Sequence, residues 1–466
     1  MAKIENNLSQ GSVLRKLILF ALPFLASNIV QSFYNVEDML IVGNFSGPAS
    51  MSGVNIVGQV TFVLTNTVVG LCAGVTALIG QYLGSGDRAA LKRIIATIIT
   101  LLILAALGIT VLMFFLRVPI LRLICTPEES FAESNRYLSV TLTGIIFIFG
   151  YNALSAILRG LGNSKQPFYF VLIACIVNVI LDLILVAGFH MDAFGAALAT
   201  VISQGLSVIL CVIYMVRSDF QFDFRLRSYR IYGDQLRMIL KIGLPTCIQN
   251  SVTSISFTVN AAVINIVGGV TASAAVGAVG KFNSFAFMPT MAISASISAM
   301  SAQNIGAGRM DRAVQTCRIG TLFAACITWT FFVFVQIAPS WVLRLFGDDP
   351  LMIQSGVTYL RSFAFDFLII PFVFCINGFL IGGGHTLFTL INSMLSSVLL
   401  RMPVCYIFGV VFGWGLRGVG LGAPAASLGV LLVIIGYLST GRWKVNAIRA
   451  RVVRKEEPSW NGGKTE

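Results

Sequence analysis

Four polar side chains, Asn28, Gln31, Asn35 and Asp38, follow one another at intervals of three, four and three within a stretch that is otherwise largely apolar. On a helix that spacing aligns them along one face. A second acid, Asp182, follows Asn178 by four residues in KQPFYFVLIACIVNVILDLILV, so this pair also shares a face. Carboxylates flanked by amide oxygens can hold a hard cation through oxygen ligands, or take up and release protons as a coupled pair. Glu37 stands beside Asp38 but points about 100° away, on the side of Tyr34 and Ile41.

The elements that must position these groups are membrane helices. Of 466 residues 56% are hydrophobic and only 11% charged, with a mean hydropathy of +0.87, which leaves no charged skin for a soluble domain. Apolar runs fall near 14–43, 52–82, 91–117, 133–160, 165–188, 195–217, 236–267, 272–303, 312–338, 355–382, 387–413 and 418–439. About 20 apolar residues suffice to cross the hydrocarbon core. The reading is an all-α integral membrane protein of twelve transmembrane helices. At this lipid depth a charged side chain is expensive and marks an ion or substrate path. Counting a 1.5 Å rise per residue, Asp38 lies about 33 Å beyond Lys16 and Asp182 about 26 Å beyond Lys165, which places both in the same outer half.

Orientation follows from the basic residues. With both termini cytoplasmic, the segments 1–16, 84–93, 159–165, 216–241, 309–318 and the tail from 441 hold 24 of the 32 Lys and Arg residues. The net charge of +13 is thus mostly a positive-inside signature, and its scatter among connectors makes a nucleic-acid role much the poorer reading. The polar start MAKIENNLSQGSVLRK and the lack of a small-residue cleavage site predict no removable signal peptide, so the expected location is the plasma (inner) membrane, multi-pass. Nine cysteines form no CxxC pair and read as small buried side chains. His190 and His385 have no ligand spacing around them, so no resident metal is expected. The absence of a GxxxxGK[ST] run excludes a P-loop ATPase.

The chain repeats itself. Leu22-Pro23 returns as Leu244-Pro245, Asn28 as Asn250, Gly58 as Gly280, Gln81 as Gln303, Gly84 and Gly86 as Gly306 and Gly308, and Gly160 and Gly162 as Gly382 and Gly384, each 222 residues later. Six helices followed by six give two lobes of equal orientation, related by an axis along the membrane normal. The expected division is an N-terminal lobe over 1–216, a cytoplasmic linker over 217–237, a C-terminal lobe over 238–440 and a basic tail over 441–466. The loops QYLGSGDRAALKR and QNIGAGRMDRAVQ read as helix ends, with Gly as left-handed cap and Asp87 or Asp311 capping the next helix. Phosphate binding is disfavoured there because no strand precedes the glycines. Pro23 and Pro245 fall inside helices 1 and 7, where each is either a hinge or a tolerated bend.

These motifs resemble the multidrug and toxic compound extrusion (MATE) family, of the bacterial kind. The resemblance runs from about Leu14 to Leu438 and rests on LP followed by YNVEDMLIVG, QYLGSGDRAA, LRGLGNSKQP, GAALATVISQ, QNIGAGRMDRA and RMP at 401–403. It implies a twelve-helix antiporter with two six-helix lobes around a central cleft, exporting organic, often cationic, compounds against proton or sodium flow and needing no other cofactor. It also implies that Asp38 with Asn178 and Asp182 builds a cation site in the N-terminal lobe, which Tyr137 and Thr200 complete. For those two, an interfacial Tyr and a packing Thr are equal alternatives. Glu37 replaces an apolar residue usual in the family and joins Asn35 and Gln31 among the further cation or substrate contacts.

The repeat supplies an internal control. The positions 222 residues after Asp38, Asn178 and Asp182 are Asn260, Leu400 and Val404, so the acids belong to one lobe. Asp366 is the one acid available for a second site, near the expected start of helix 10, and a pairing with Arg401 of helix 11 would be structural. With 35 Phe and 14 Met, the chain suits flat hydrophobic cations as partners, besides the bilayer itself, and is expected to act as a monomer. The alternative is a flippase for lipid-linked saccharides, which would want basic residues along the cleft. An enzyme is not indicated.

Overall fold

The computed structural model describes residues 5–445 apart from 219, 221 and 223. Most of the basic tail expected from 441 therefore lies outside the described residues. Among the described residues no strand forms. Helices are what the composition demands, because a bilayer offers no water to backbone N–H and C=O groups. Nine helices are singly long and apolar enough to cross a membrane, two more spans are bent pairs, and the segment 233–268 completes twelve among the described residues.

The first half comprises α1 (Val13–Phe45), α2 (Gly47–Ser85), α3 (Arg88–Leu123), α4 (Glu128–Thr143 with Ile145–Gly160), α5 (Lys165–Gly188) and α6 (Asp192–Arg217). The second comprises α7 (233–268), α8 (Thr271–Gly306), α9 (Met310–Ile337), α10 (Pro350–Phe363 with Asp366–Gly382), α11 (Thr386–Val411) and α12 (Gly415–Ser439). Helices α7 and α8 are one helical rod broken at Gly269, whose φ of +61° only glycine adopts without strain. Between α6 and α7 the chain runs over 218–232. Gly233 to Arg237 already belong to α7, where Asp234 in the first turn favours the helix N-terminus. Buried Phe222 anchors the linker, its ring edge-on to Phe224 and Tyr229.

The repeat is visible as shared irregularity. Both α4 and α10 bend, by 46° and 51°, the first at Gly144 and the second at 364–365, just before Asp366, the counterpart of Gly144 at the 222-residue offset. Helix α5 widens into a π-helix at Leu183–Gly188, and α11 does so at Leu395–Arg401 and Ile407–Val411. A π-turn inserts a residue and re-aims the side chains beside it, which is why such turns gather at functional sites.

The two halves close on each other at the end that bears the N-terminus. Gln81 Nε2 donates to the Gly382 carbonyl at 2.6 Å, and Gln303 Nε2 to the Gly160 carbonyl at 3.1 Å, a reciprocal pair between lobes. Beside them α2 and α8 cross at glycines: a Cβ on Gly84 would stand 2.1 Å from the Gln303 carbonyl oxygen, and one on Gly306 would stand 2.2 Å from that of Gln81. Further along the seam, Thr246 Oγ1 donates to the Gly70 carbonyl at 2.6 Å and Asn250 Nδ2 to that of Asn66 at 3.4 Å. The residues before α1 lie across the seam. Glu5 pairs with Arg88, and Asn6 N donates to the Leu161 carbonyl at 2.9 Å. Leu8 N donates to Gln303 Oε1 at 3.0 Å, and Arg309 Nη1 to the Ser9 carbonyl at 2.8 Å.

The loop motifs are thus only partly caps. Gly86 and Gly308 do take the left-handed conformation, and Asp87 accepts from Ala90 N at 2.9 Å. Asp311, expected to cap α9, instead lies within its first turn, with Arg309 at the N-cap.

Candidate cation site

Three elements of the first lobe bring the predicted acids together. Asp38 sits on the last third of α1, Asp182 is the last α-helical residue of α5 before its π-turn, and Asn178 lies one turn earlier on the same face. Asp38 retains 6% of its surface, and Asp182 and Asn178 none. The two carboxyl groups each offer an oxygen within 4.8 Å of the other, and Asn178 lies beside them. Thr200, two turns into α6, donates through Oγ1 to Asp38 Oδ2 at 3.4 Å. Tyr137, on the first limb of α4, is buried and faces both acids and Thr200.

Glu37, named among the further contacts although it points away from Asp38 on α1, lies with the pair. Its carboxylate joins those of Asp38 and Asp182, the three ligand oxygens lying within 4.8 Å of one another. A glutamate has one methylene more than an aspartate, enough to swing its head back over a neighbouring face. Gln31, expected on the polar stripe, is exposed. The side chain of Asn35 lies outside the described residues. Pro23 and Pro245 are both inside helices, with Ser27 Oγ donating to the Pro23 carbonyl at 2.9 Å, and Thr246 beside Pro245 bonding across the lobe seam.

The donor set has the chemistry to hold a cation or protons. Asp38 Oδ1, both oxygens of Asp182, both of Glu37 and both polar atoms of Asn178 are buried without a hydrogen-bond partner. Each such group costs about 1–3 kcal/mol where it stays unsatisfied. Among the described residues, the ion pairs Glu5–Arg88, Arg93–Asp234 and Glu133–Arg136 leave these three acids out. Oxygens without donors or counter-charge in apolar surroundings fit a hard cation or protons.

The second lobe solves the same problem internally. Asp366 is not near a membrane edge, as its place in the sequence suggested, but at the break within α10, in mid-span and 1% exposed. Only a broken span puts a helix start there. Arg401 of α11 faces it electrostatically, and Ser427 of α12 is within hydrogen-bonding reach. Tyr359, the counterpart of Tyr137 at the 222-residue offset, faces the same Asp366 and Arg401. The C-terminal lobe therefore carries its own fixed cation where the N-terminal lobe has only acids.

Arg401→Met is expected to lower the melting temperature, because it removes the cation that faces buried Asp366. Adding Asp366→Asn should restore most of that loss. Thermal unfolding in detergent reads both, and an unchanged melting temperature for Arg401→Met would remove the pairing.

The sequence model of the MatE family matches residues 23–184 and again 245–407, two copies whose starts are 222 residues apart. A Bacillus subtilis (strain 168) protein described as the probable multidrug resistance protein YpnP is 29% identical over 440 residues, covering 94% of this chain and 97% of that protein. A Thermotoga maritima protein described as the probable multidrug resistance protein NorM is 26% identical over 449 residues, covering 95% of this chain and 96% of its own length. A crystal structure of MATE in the bent conformation superposes with a TM-score of 0.87 at 21% identity, over 96% of this chain and 98% of that one, which shows the shared fold. With both halves matched by one family model and nearly the full length shared with those relatives, the chain belongs to the multidrug and toxic compound extrusion (MATE) family.

Proposed function

We propose that this protein is a secondary antiporter that exports small organic compounds, hydrophobic cations among them, in exchange for protons or sodium. The observation that carries the reading is the buried Asp38–Asp182 pair with Asn178, which has no ion-pair partner among the described residues and occurs in one lobe only. A cation or proton bound there would change the charge buried in the lobe, and with it the balance between the two access states. Relatives described as multidrug resistance proteins support the substrate class. Basic residues concentrated on the connectors support a plasma-membrane orientation with both termini in the cytoplasm, so that the closed seam would be the inner gate and the acid site would open outward. Tyr137 and Thr200 would act as site ligands, and Pro23 and Pro245 as bends through which α1 and α7 move.

A flippase for lipid-linked saccharides is the poorer reading, since three buried carboxylates would repel a pyrophosphate. Transport of a fluorescent organic cation by purified protein in liposomes tests the proposal, with pH and sodium gradients imposed separately. Substrate movement should follow one of the ion gradients. Movement driven by ATP with both gradients collapsed would overturn the antiporter reading.

A further inference from the structure

We propose that Glu37 converts the acid pair into a three-carboxylate site for a divalent cation of calcium size. The inference deepens the cation-site reading and rests on it, but it does not depend on which gradient drives transport. It starts from charge. With Glu37, Asp38 and Asp182 together, a bound monovalent ion leaves two negative charges among apolar helices, whereas a divalent ion leaves one. Among the described residues, no Lys or Arg forms an ion pair with any of the three acids.

Coordination chemistry decides between divalent ions. The three carboxylate oxygens lie within 4.8 Å of one another, close enough to share one ion. Calcium accepts six to eight oxygens in flexible geometry, whereas magnesium demands a near-ideal octahedron and keeps several waters, so an irregular all-protein oxygen set among apolar helices suits calcium. Two further ligands are in place. Asn178, one turn before Asp182 on the same helix face, is fully buried and has its amide oxygen without a partner. The Thr200 hydroxyl already touches Asp38 at 3.4 Å. Five side chains from α1, α5 and α6, some of them bidentate, approach the six to eight oxygens that calcium takes.

The residues at the 222-residue offset are Val259, Asn260 and Val404, with Leu400 in place of Asn178, so the other lobe serves as a control within one chain. Equilibrium binding of radioactive calcium to purified protein in zwitterionic nanodiscs tests the inference, without substrate or gradient. Wild type is expected to bind one calcium per chain saturably, with magnesium competing only at concentrations at least tenfold higher. Glu37→Gln should weaken binding tenfold or more, Glu37→Asp should do so by less, and Asp366→Asn in the second lobe should leave it unchanged. Wild type without saturable calcium binding, equal competition by magnesium, or Glu37→Gln binding as tightly as wild type would each overturn the inference. Failure of the antiport reading is distinguishable, because it appears as loss of gradient-driven transport by wild type, whatever calcium does at equilibrium.

Discussion

Asp182→Asn is expected to abolish gradient-driven export, and Asp38→Asn to do the same, whereas Asn260→Ala should keep most of it. Each Asn substitution keeps the shape of the side chain but removes a charge that faces an unpaired partner inside the lobe. Losing one buried carboxylate ligand removes on the order of 3–5 kcal/mol of ion affinity, which corresponds to roughly two to four powers of ten. Ion gradients across a liposome cannot make up that difference at ordinary concentrations. Asn260 occupies the position of Asp38 in the second lobe, where Arg401 already supplies a positive charge to Asp366. Initial rates of substrate uptake under an imposed gradient read all three variants side by side. Equal losses in all three would show that coupling is not confined to the N-terminal lobe.

Gly84→Ala, combined with Gly306→Ala, should hold the lobes apart at the N-terminal end and depopulate the state seen here. Each new methyl would meet a backbone carbonyl oxygen, at 2.1 Å from Gln303 and 2.2 Å from Gln81, and a backbone cannot swing aside as a side chain can. Parting α2 from α8 also breaks the two reciprocal amide contacts, Gln81 to Gly382 and Gln303 to Gly160. Overpacking of this kind costs about 1–3 kcal/mol per site, so the closed arrangement should lose roughly a factor of 5 to 150 for each substitution. Spin labels at Lys92 and Asp311, exposed on opposite lobes beside the seam, would report the change as a longer distance. Transport should fall with it, since alternating access requires both states to be populated. An unaltered distance distribution with normal transport would mean that the glycine crossing does not set the gate.

The same glycines show where reading a sequence stops. A constant 222-residue offset told that Gly84 and Gly306 are equivalent, and helix-end chemistry accounted for Gly86 and Gly308. The crossing of α2 over α8 was invisible, because a close approach between helices more than 200 residues apart leaves no local pattern. The π-turn after Asp182 was likewise unmarked: Leu, Ile and Val fill α- and π-turns alike.

By itself the sequence determined the membrane class, the twelve spans, the duplication and the one-sided placement of Asp38, Asn178 and Asp182. Those properties follow from hydropathy, helical period and internal repetition, all of which act along the chain. Only the tertiary structure decided that Glu37 completes the acid cluster, that Asp366 lies in mid-span facing Arg401, and that paired glutamines seal the lobes. Each of these depends on how far a side chain reaches, or on where a span breaks. Such distances are fixed between helices by packing, not by spacing along one of them.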